Sequence, residues 1–522
     1  MISKGDRYAY ITNFGDGTIS NYTIAADGRI ALLALLALLG LLASIATTTP
    51  LGQLDSRRRP ERERALPLRD RHHLAAGARV GDREGRLSHA DRGVPRSAGH
   101  AGLAASWTED CGWGSRLGPS THLSGNVNAC TPTQPETCAD VTATSLHSVQ
   151  GLKLERFFAE LGEQAEHLLC TSDIEPYRLH DLLELADHEL RARWDRLALG
   201  YTDPGGMPAL REEIAGMYTG IDADEVVTFA GADEAIFLAL NAILRPGDHA
   251  VVTWPAYQSL HEVASAAGAE VTLLPLDPDG WELDIEELRR AVRPTTRVVI
   301  VNFPHNPTGA LPSRETLDAV EAIAAEADAH LFSDEVYRHL EYEPIDLLPA
   351  AAEYGGLAVS VGVMSKSFGL AGLRIGWLAT KDRELLARIS IYKEYISSCN
   401  SAPSEVLALV ALRAREDVLA RSRRLLAENL VHLDRFFGEW AGVFDWVRPR
   451  AGCVGFPRLD SALPVEELAV RLVEEEGVLL VPGSVYDYPG NHFRLGFGHA
   501  DLPEALAGLE RFARRELARC VA

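Results

Sequence analysis

From Tyr201 onward, short apolar runs rich in β-branched residues alternate with amphipathic stretches. Glu225–Ala230, Ala250–Trp254, Arg297–Phe303, Ala329–Ser333, Ala358–Val363 and Arg374–Ala379 read as strands. Glu234–Leu244, Ser259–Ala267 and Ser313–Ala327 read as helices, the last opening with Ser313 and Glu315. Alternation of this kind predicts parallel strands covered by helices on both faces. Residues 153–169 and 421–440 read as long amphipathic helices, and 452–498 holds three apolar runs around Gly455, Leu479 and Leu495. The expected organisation is a large α/β domain over 201–404. A smaller α+β lobe is built from 151–200 and 405–522.

The first 150 residues do not share this rhythm. Residues 8–28 alternate apolar and polar around a Gly-Asp-Gly turn and predict a short hairpin. The segment resembles one blade fragment of a lactonase-type β-propeller, which by itself has no neighbouring blade to bury its face. Residues 30–46 are an apolar run of 17, at the short edge of the ~17–25 residues that a membrane helix needs. Membrane anchoring or export through this run is the alternative to a cytoplasmic protein. Residues 51–100 carry 12 Arg and no Lys, and 101–150 are rich in Thr, Ser and Gly; neither shows a period, so disorder is expected. The region reads as an irregular extension joined to a complete enzyme, and a chain starting near Gly151 is expected to keep its activity.

Composition sharpens that division. The 522 residues suggest roughly three domain-sized units. Of the 51 basic and 74 acidic residues, 16 and 14 fall in 1–150, leaving 35 and 60 for the rest, a net of −25 there. So acidic a body argues against binding nucleic acid through charge. The seven cysteines are an odd number without C-x-x-C spacing, which indicates neither a zinc site nor a disulfide framework; no metal is expected. Reduced thiols in a cytosolic protein are the simpler reading.

In parallel α/β sheets, ligands sit beyond the carboxyl ends of the strands. The residues there are Gly231-Ala232-Asp233, Tyr257, Asn306-Pro307-Thr308-Gly309, Asp334-Glu335-Val336-Tyr337 and Ser365-Lys366. Only five lysines occur in the chain, and Lys366 stands between a predicted strand and a glycine-rich turn. A lysine hidden there is costly as an ammonium, and burial makes its amine a nucleophile toward an aldehyde. Taken singly, each residue has an ordinary structural explanation: a surface lysine, a helix-capping aspartate, a packing tyrosine, an Asn-Pro turn.

Taken together, VNFPHNPTGA, FSDEVY and SKSFGLAGLRIGW, in this order, resemble the aspartate aminotransferase-type enzymes of fold type I, class I/II, which use pyridoxal phosphate. The resemblance covers about 151–522. It implies that Lys366 carries the cofactor aldehyde as a Schiff base, that Asp334 pairs with the pyridine nitrogen, and that Tyr337 and Asn306 donate to the phenolic oxygen. It further implies that Tyr257 stacks on the ring. Gly231, Ala232 and Asp233 at a helix start, with Ser365 and Arg374, would hold the phosphate. Tyr201 resembles the tyrosine that reaches the phosphate of a neighbouring subunit, which requires a homodimer. Arg494, in NHFRLGFG, resembles the arginine that grips the substrate carboxylate, a contact to which Asn306 also belongs.

Two positions depart from the pattern. Val363 stands where a phosphate-binding hydroxyl is common, so Ser367 or backbone would have to compensate, and Glu234 replaces a frequent amide. The expected reaction is transfer of an amino group between an L-amino acid and a 2-oxo acid. PAYQSL and NFPHNPTGA also resemble capreomycidine synthase-type cyclases, which act on an arginine derivative. A transcription regulator built on the same fold would need a helical, basic N-terminal part that 51–150 does not show. The segment LLCTSDIEPYRL occupies the place that lines the substrate pocket in such enzymes, with Ser172, Ile174 and Glu175 as candidates.

Overall fold

The computed structural model describes residues 149–517 in full, together with the backbone of four short strands before them. Those four, Tyr8–Thr12, Ile19–Ile24, Ile30–Leu33 and Thr48–Thr49, form one antiparallel sheet. Thr12 pairs with Ile19 and Tyr8 with Thr23, the register of the expected hairpin. The first four residues of the apolar run are strand, since Ile30–Leu33 pairs with Ile24–Asn21. The rest of that run, the arginine-rich stretch and the Thr/Ser-rich stretch lie outside the described residues.

The body is organised by a seven-stranded sheet. Its strands are β1 (Val226–Phe229), β2 (His249–Trp254), β3 (Glu270–Pro275), β4 (Thr296–Asn302), β5 (His330–Asp334), β6 (Ala358–Val363) and β7 (Gly376–Thr380), in the spatial order β1-β7-β6-β5-β4-β2-β3. β3, β2, β4, β5 and β6 run parallel. β7 is antiparallel to both of its neighbours, which makes the sheet mostly parallel. The chain leaving β6 returns after only a turn and a short 3-10 segment, too little for the helical crossover that a parallel partner needs. The central strands are almost wholly buried, because helices cover both faces; hence their unbroken apolar runs. The sequence reading missed β3, an edge strand with several exposed positions.

Helices Ala232–Ile243, Gln258–Ala266 and Arg314–Glu326 fall where the periodicity predicts them, within one or two residues at each end. The long helix expected over 153–169 stops at Leu161. A 3-10 turn over Gly162–Gln164 then redirects the chain, and His167–Leu168 pairs in parallel with Val478–Leu479. The second long helix is longer than expected, Arg415–Glu439.

Towards the C-terminus, Phe493–Gly496 lies between Val454–Gly455 and Val481–Pro482. A Cβ on Gly496 would sit 1.8 Å from the Thr171 carbonyl, and one on Gly498 would sit 2.0 Å from that of Asp173. Bare backbone at these two glycines lets segment 169–173 lie directly across the strand, and that carries Ser172 and Asp173 to the cavity at the sheet's edge.

Candidate active site

Apart from β7, the sheet strands end on one edge, and a cavity of about 430 Å³ opens there. Lining it are Ala232, Asp233, Tyr257, Asn306, Asp334, Val363, Ser365, Lys366, Arg374 and Arg494. These come from five strand ends, the loop before β7 and strand Phe493–Gly496, across more than 250 residues of sequence. The convergence follows from topology: parallel strands put their carboxyl ends on one side, and β7 contributes its start, just after Arg374.

Lys366 Nζ donates to Ser172 Oγ at 2.8 Å and lies 5.7 Å from the centre of the Tyr337 ring. Burial lowers the pKa of its amine, against the opposing influence of Cys453 and Asp173. Asp334 is 3 % exposed. Its carboxylate accepts from the Val336 N–H at 3.2 Å, and burial pushes its pKa up to about 7 despite that bond and nearby Lys366. Asn302, which the sequence reading did not single out, sets this corner. Its Nδ2 donates to the Asp334 carbonyl at 2.9 Å, and its Oδ1 accepts from the Asn306 N–H at 2.8 Å.

Arg494 is 1 % exposed. Its Nη2 donates to the Cys170 carbonyl at 2.6 Å and its Nη1 to the Tyr486 hydroxyl, while its buried Nε has no partner. Tyr486 in turn donates to Asn306 Oδ1 at 3.2 Å. This tyrosine links the two candidate substrate-binding residues, and nothing in VPGSVYDYPG signals it. Tyr337 is fully buried, and its hydroxyl donates to the Ser172 carbonyl at 2.7 Å. It touches the lysine's surroundings without lining the cavity.

The phosphate end is built from backbone. Gly231 has φ +103° and caps α2 (Ala232–Ile243). A Cβ on it would lie 2.5 Å from Arg374 Nη2, and one on Gly376 would lie 2.6 Å from the Gly231 carbonyl carbon. Two glycines therefore hold helix-start N–H groups against a guanidinium, a cradle that fits a phosphate monoester. The Asp233 carboxylate accepts from Ser259 Oγ at 3.2 Å, leaving its backbone N–H as the group suited to an anion. A buried carboxylate with a raised pKa, one hydrogen bond and an open cavity beside it also fits a protonated ring nitrogen. The residues present thus fit pyridoxal phosphate.

Two expectations need correction. Ile174 is a core residue with no exposure, and Glu175 accepts from the Ala500 N–H, so of the three pocket candidates only Ser172 lines the cavity. Ser367 does not compensate for Val363; its hydroxyl donates to the Arg338 carbonyl at 2.6 Å, away from the cradle. Glu234 is spent on the Ala230 N–H. Tyr201, by contrast, is 97 % exposed and stands apart from this chain's cavity.

Residues 171–509 match the family model for aminotransferase class I and II. The chain belongs to the class I and II aminotransferases. It is therefore a pyridoxal-phosphate-dependent enzyme of fold type I. Capreomycidine synthase of Streptomyces vinaceus is 33% identical over 362 residues, 68% of this chain and 91% of that protein. An aspartate/prephenate aminotransferase of Thermus thermophilus is 31% identical over 376 residues, 68% of this chain and 92% of its own length. A solved pyridoxal-phosphate-dependent aminotransferase from Streptococcus suis superposes with a TM-score of 0.67 at 30% identity, over 70% of this chain and 98% of that one. What matches this aminotransferase lies in the body, as the change in sequence character near residue 150 suggests.

Proposed function

We propose that this aminotransferase moves an amino group between an L-amino acid and a 2-oxo acid. One observation carries the reading: a lysine amine of lowered pKa, a buried carboxylate and a buried arginine with an unpartnered Nε line one cavity. Pyridoxal phosphate, when bound, supplies an aldehyde for a primary amine and a ring that draws electrons from the substrate's α-carbon. The chain does the rest. Arg374 and the Gly231–Asp233 N–H groups hold the phosphate, and Asp334 keeps a proton on the ring nitrogen. Tyr257 covers the ring, Ser365 and Asn306 complete the polar surround, and Tyr337 stands behind them, its hydroxyl on the Ser172 carbonyl. Arg494 takes the α-carboxylate in its fork. Lys366 Nζ, once free, removes the α-proton and returns it to the carbon on the other side of the amino nitrogen.

Exposed apolar side chains at Leu199, Tyr201, Ile391 and Tyr395 support a homodimer in which Tyr201 serves the partner's phosphate. No helix among the described residues is long and apolar enough to cross a membrane. Free thiols at Cys170, Cys399 and Cys453 fit a cytoplasmic enzyme.

A second reading, a cyclase, draws support from the 33% identity to capreomycidine synthase. The visible spectrum of the holoenzyme separates the two. Bleaching of the lysine-bound cofactor band by an amino acid, with stoichiometric 2-oxo acid released, is the expected result. A spectral change without 2-oxo acid favours the cyclase, and no band on adding pyridoxal phosphate refutes both.

A further inference from the structure

With the residues assigned above set aside, the rest of the cavity lining comes largely from α1 (Lys153–Leu161) and the segment after it. Leu154, Phe158 and Leu168 are apolar; Glu155 and Asp173 are acidic. The cations of the lining are Lys366, Arg374 and Arg494, and each already has a task. Among the described residues, none is left over for the second carboxylate of a dicarboxylic amino acid. What remains is an apolar surface ending in negative charge.

Asp173 is the better placed of the two acids. Its side chain is 28 % exposed, and Oδ1 lies 3.3 Å from His499 Nε2. Burial works against its charge, but the His499 hydrogen bond and nearby Lys366 outweigh that and hold its pKa below the usual carboxylate value. It is therefore ionised at neutral pH. Gly498, whose absent Cβ makes room for the Asp173 carbonyl, fixes where this side chain starts. Glu155 is exposed on the first turn of α1.

We infer that Asp173, seconded by Glu155, selects amino acids whose side chain carries a cation on an apolar stem: the basic amino acids and their derivatives. The stem would lie along Leu154, Phe158 and Leu168, with the cation reaching the two carboxylates. The inference rests on the amino-acid site proposed above and adds its substrate class. It holds whether the product is a 2-oxo acid or a ring.

The test is a titration of the full-chain holoenzyme, read from the cofactor band, with arginine, its neutral isostere citrulline, and glutamate. Arginine should bind at least about tenfold more tightly than citrulline, a difference of about 1.4 kcal/mol. Asp173→Asn should bring that ratio close to one, and Glu155→Gln should lower it part of the way. An unaltered cofactor band in each variant reports an intact fold and cofactor site; should Asp173→Asn lose it, exposed Glu155→Gln carries the test. A wild-type ratio near one, tighter binding of glutamate, or a ratio unmoved by both substitutions overturns the inference while leaving the amino-acid site standing. A cofactor band that no amino acid perturbs overturns both.

Discussion

At the residue scale, two side chains make the sharpest claims. Lys366→Ala should abolish the lysine-bound cofactor band and lower turnover by about 10³-fold, the span ascribed to a general base, as stopped-flow kinetics would show. Asp334 gives a pH signature in the cofactor-free protein. Its pKa is about 7 when folded and near the ordinary 3.8 when unfolded. Between those values the folded chain holds a proton that the unfolded chain has released. Stability should therefore fall as pH rises through this window, by roughly 4 kcal/mol in full from this one group. Glu341, also raised to about 7 by burial, adds to the fall. Melting curves at pH 5 and pH 8 should differ less in Asp334→Asn than in the wild type. An equal difference in both would refute the assignment.

At the element scale, the active site depends on close backbone approach. Gly376 opens β7 against the residues that cap α2, and a methyl there would meet Gly231 and the Ala232 nitrogen at 2.6 and 2.8 Å. Gly376→Ala should cost about 2 kcal/mol or more in stability, in the range of overpacked sites. It should also weaken pyridoxal phosphate binding at least about tenfold, since it separates Arg374 from the helix start. Equilibrium dialysis of the cofactor checks the second effect separately from unfolding. Much at this scale was legible in the sequence. The strands ending at Asp334 and Val363 and the helix after Gly231 were readable because burial on both faces leaves unbroken apolar runs. β3 was not, since several of its positions are exposed and its pattern is mixed. Nor was the early end of α1, whose amphipathic period continues past the residue where backbone pairing with Val478–Leu479 takes over.

At the scale of the whole molecule, the patch containing Ile391 and Tyr395 should meet a second copy. Tyr395 is 85 % exposed and Ile391 54 %. A Tyr395→Lys/Ile391→Asp double variant should sediment as a monomer, where the wild type sediments as a dimer. Its affinity for pyridoxal phosphate should drop if Tyr201 reaches across. A wild-type monomer in analytical ultracentrifugation would contradict the interface.

Local order and chemistry are written in the chain itself. Lys366, Asp334 and Asn306 follow predicted strands, so their place at the strand ends was readable; their roles, and Arg374, were named from the resemblance of their motifs to a known family. Tyr486, Asn302, the role of Ser172 and the placement of Asp173 could not be read either way. Their contacts span 4 to 326 residues of sequence, and those of Ser172 and Asp173 depend on backbone left bare at Gly496 and Gly498. A periodic pattern records which face a residue buries. It does not record which distant residue lies opposite, and that partner decides how the arginine, the lysine and the open end of the cavity are used.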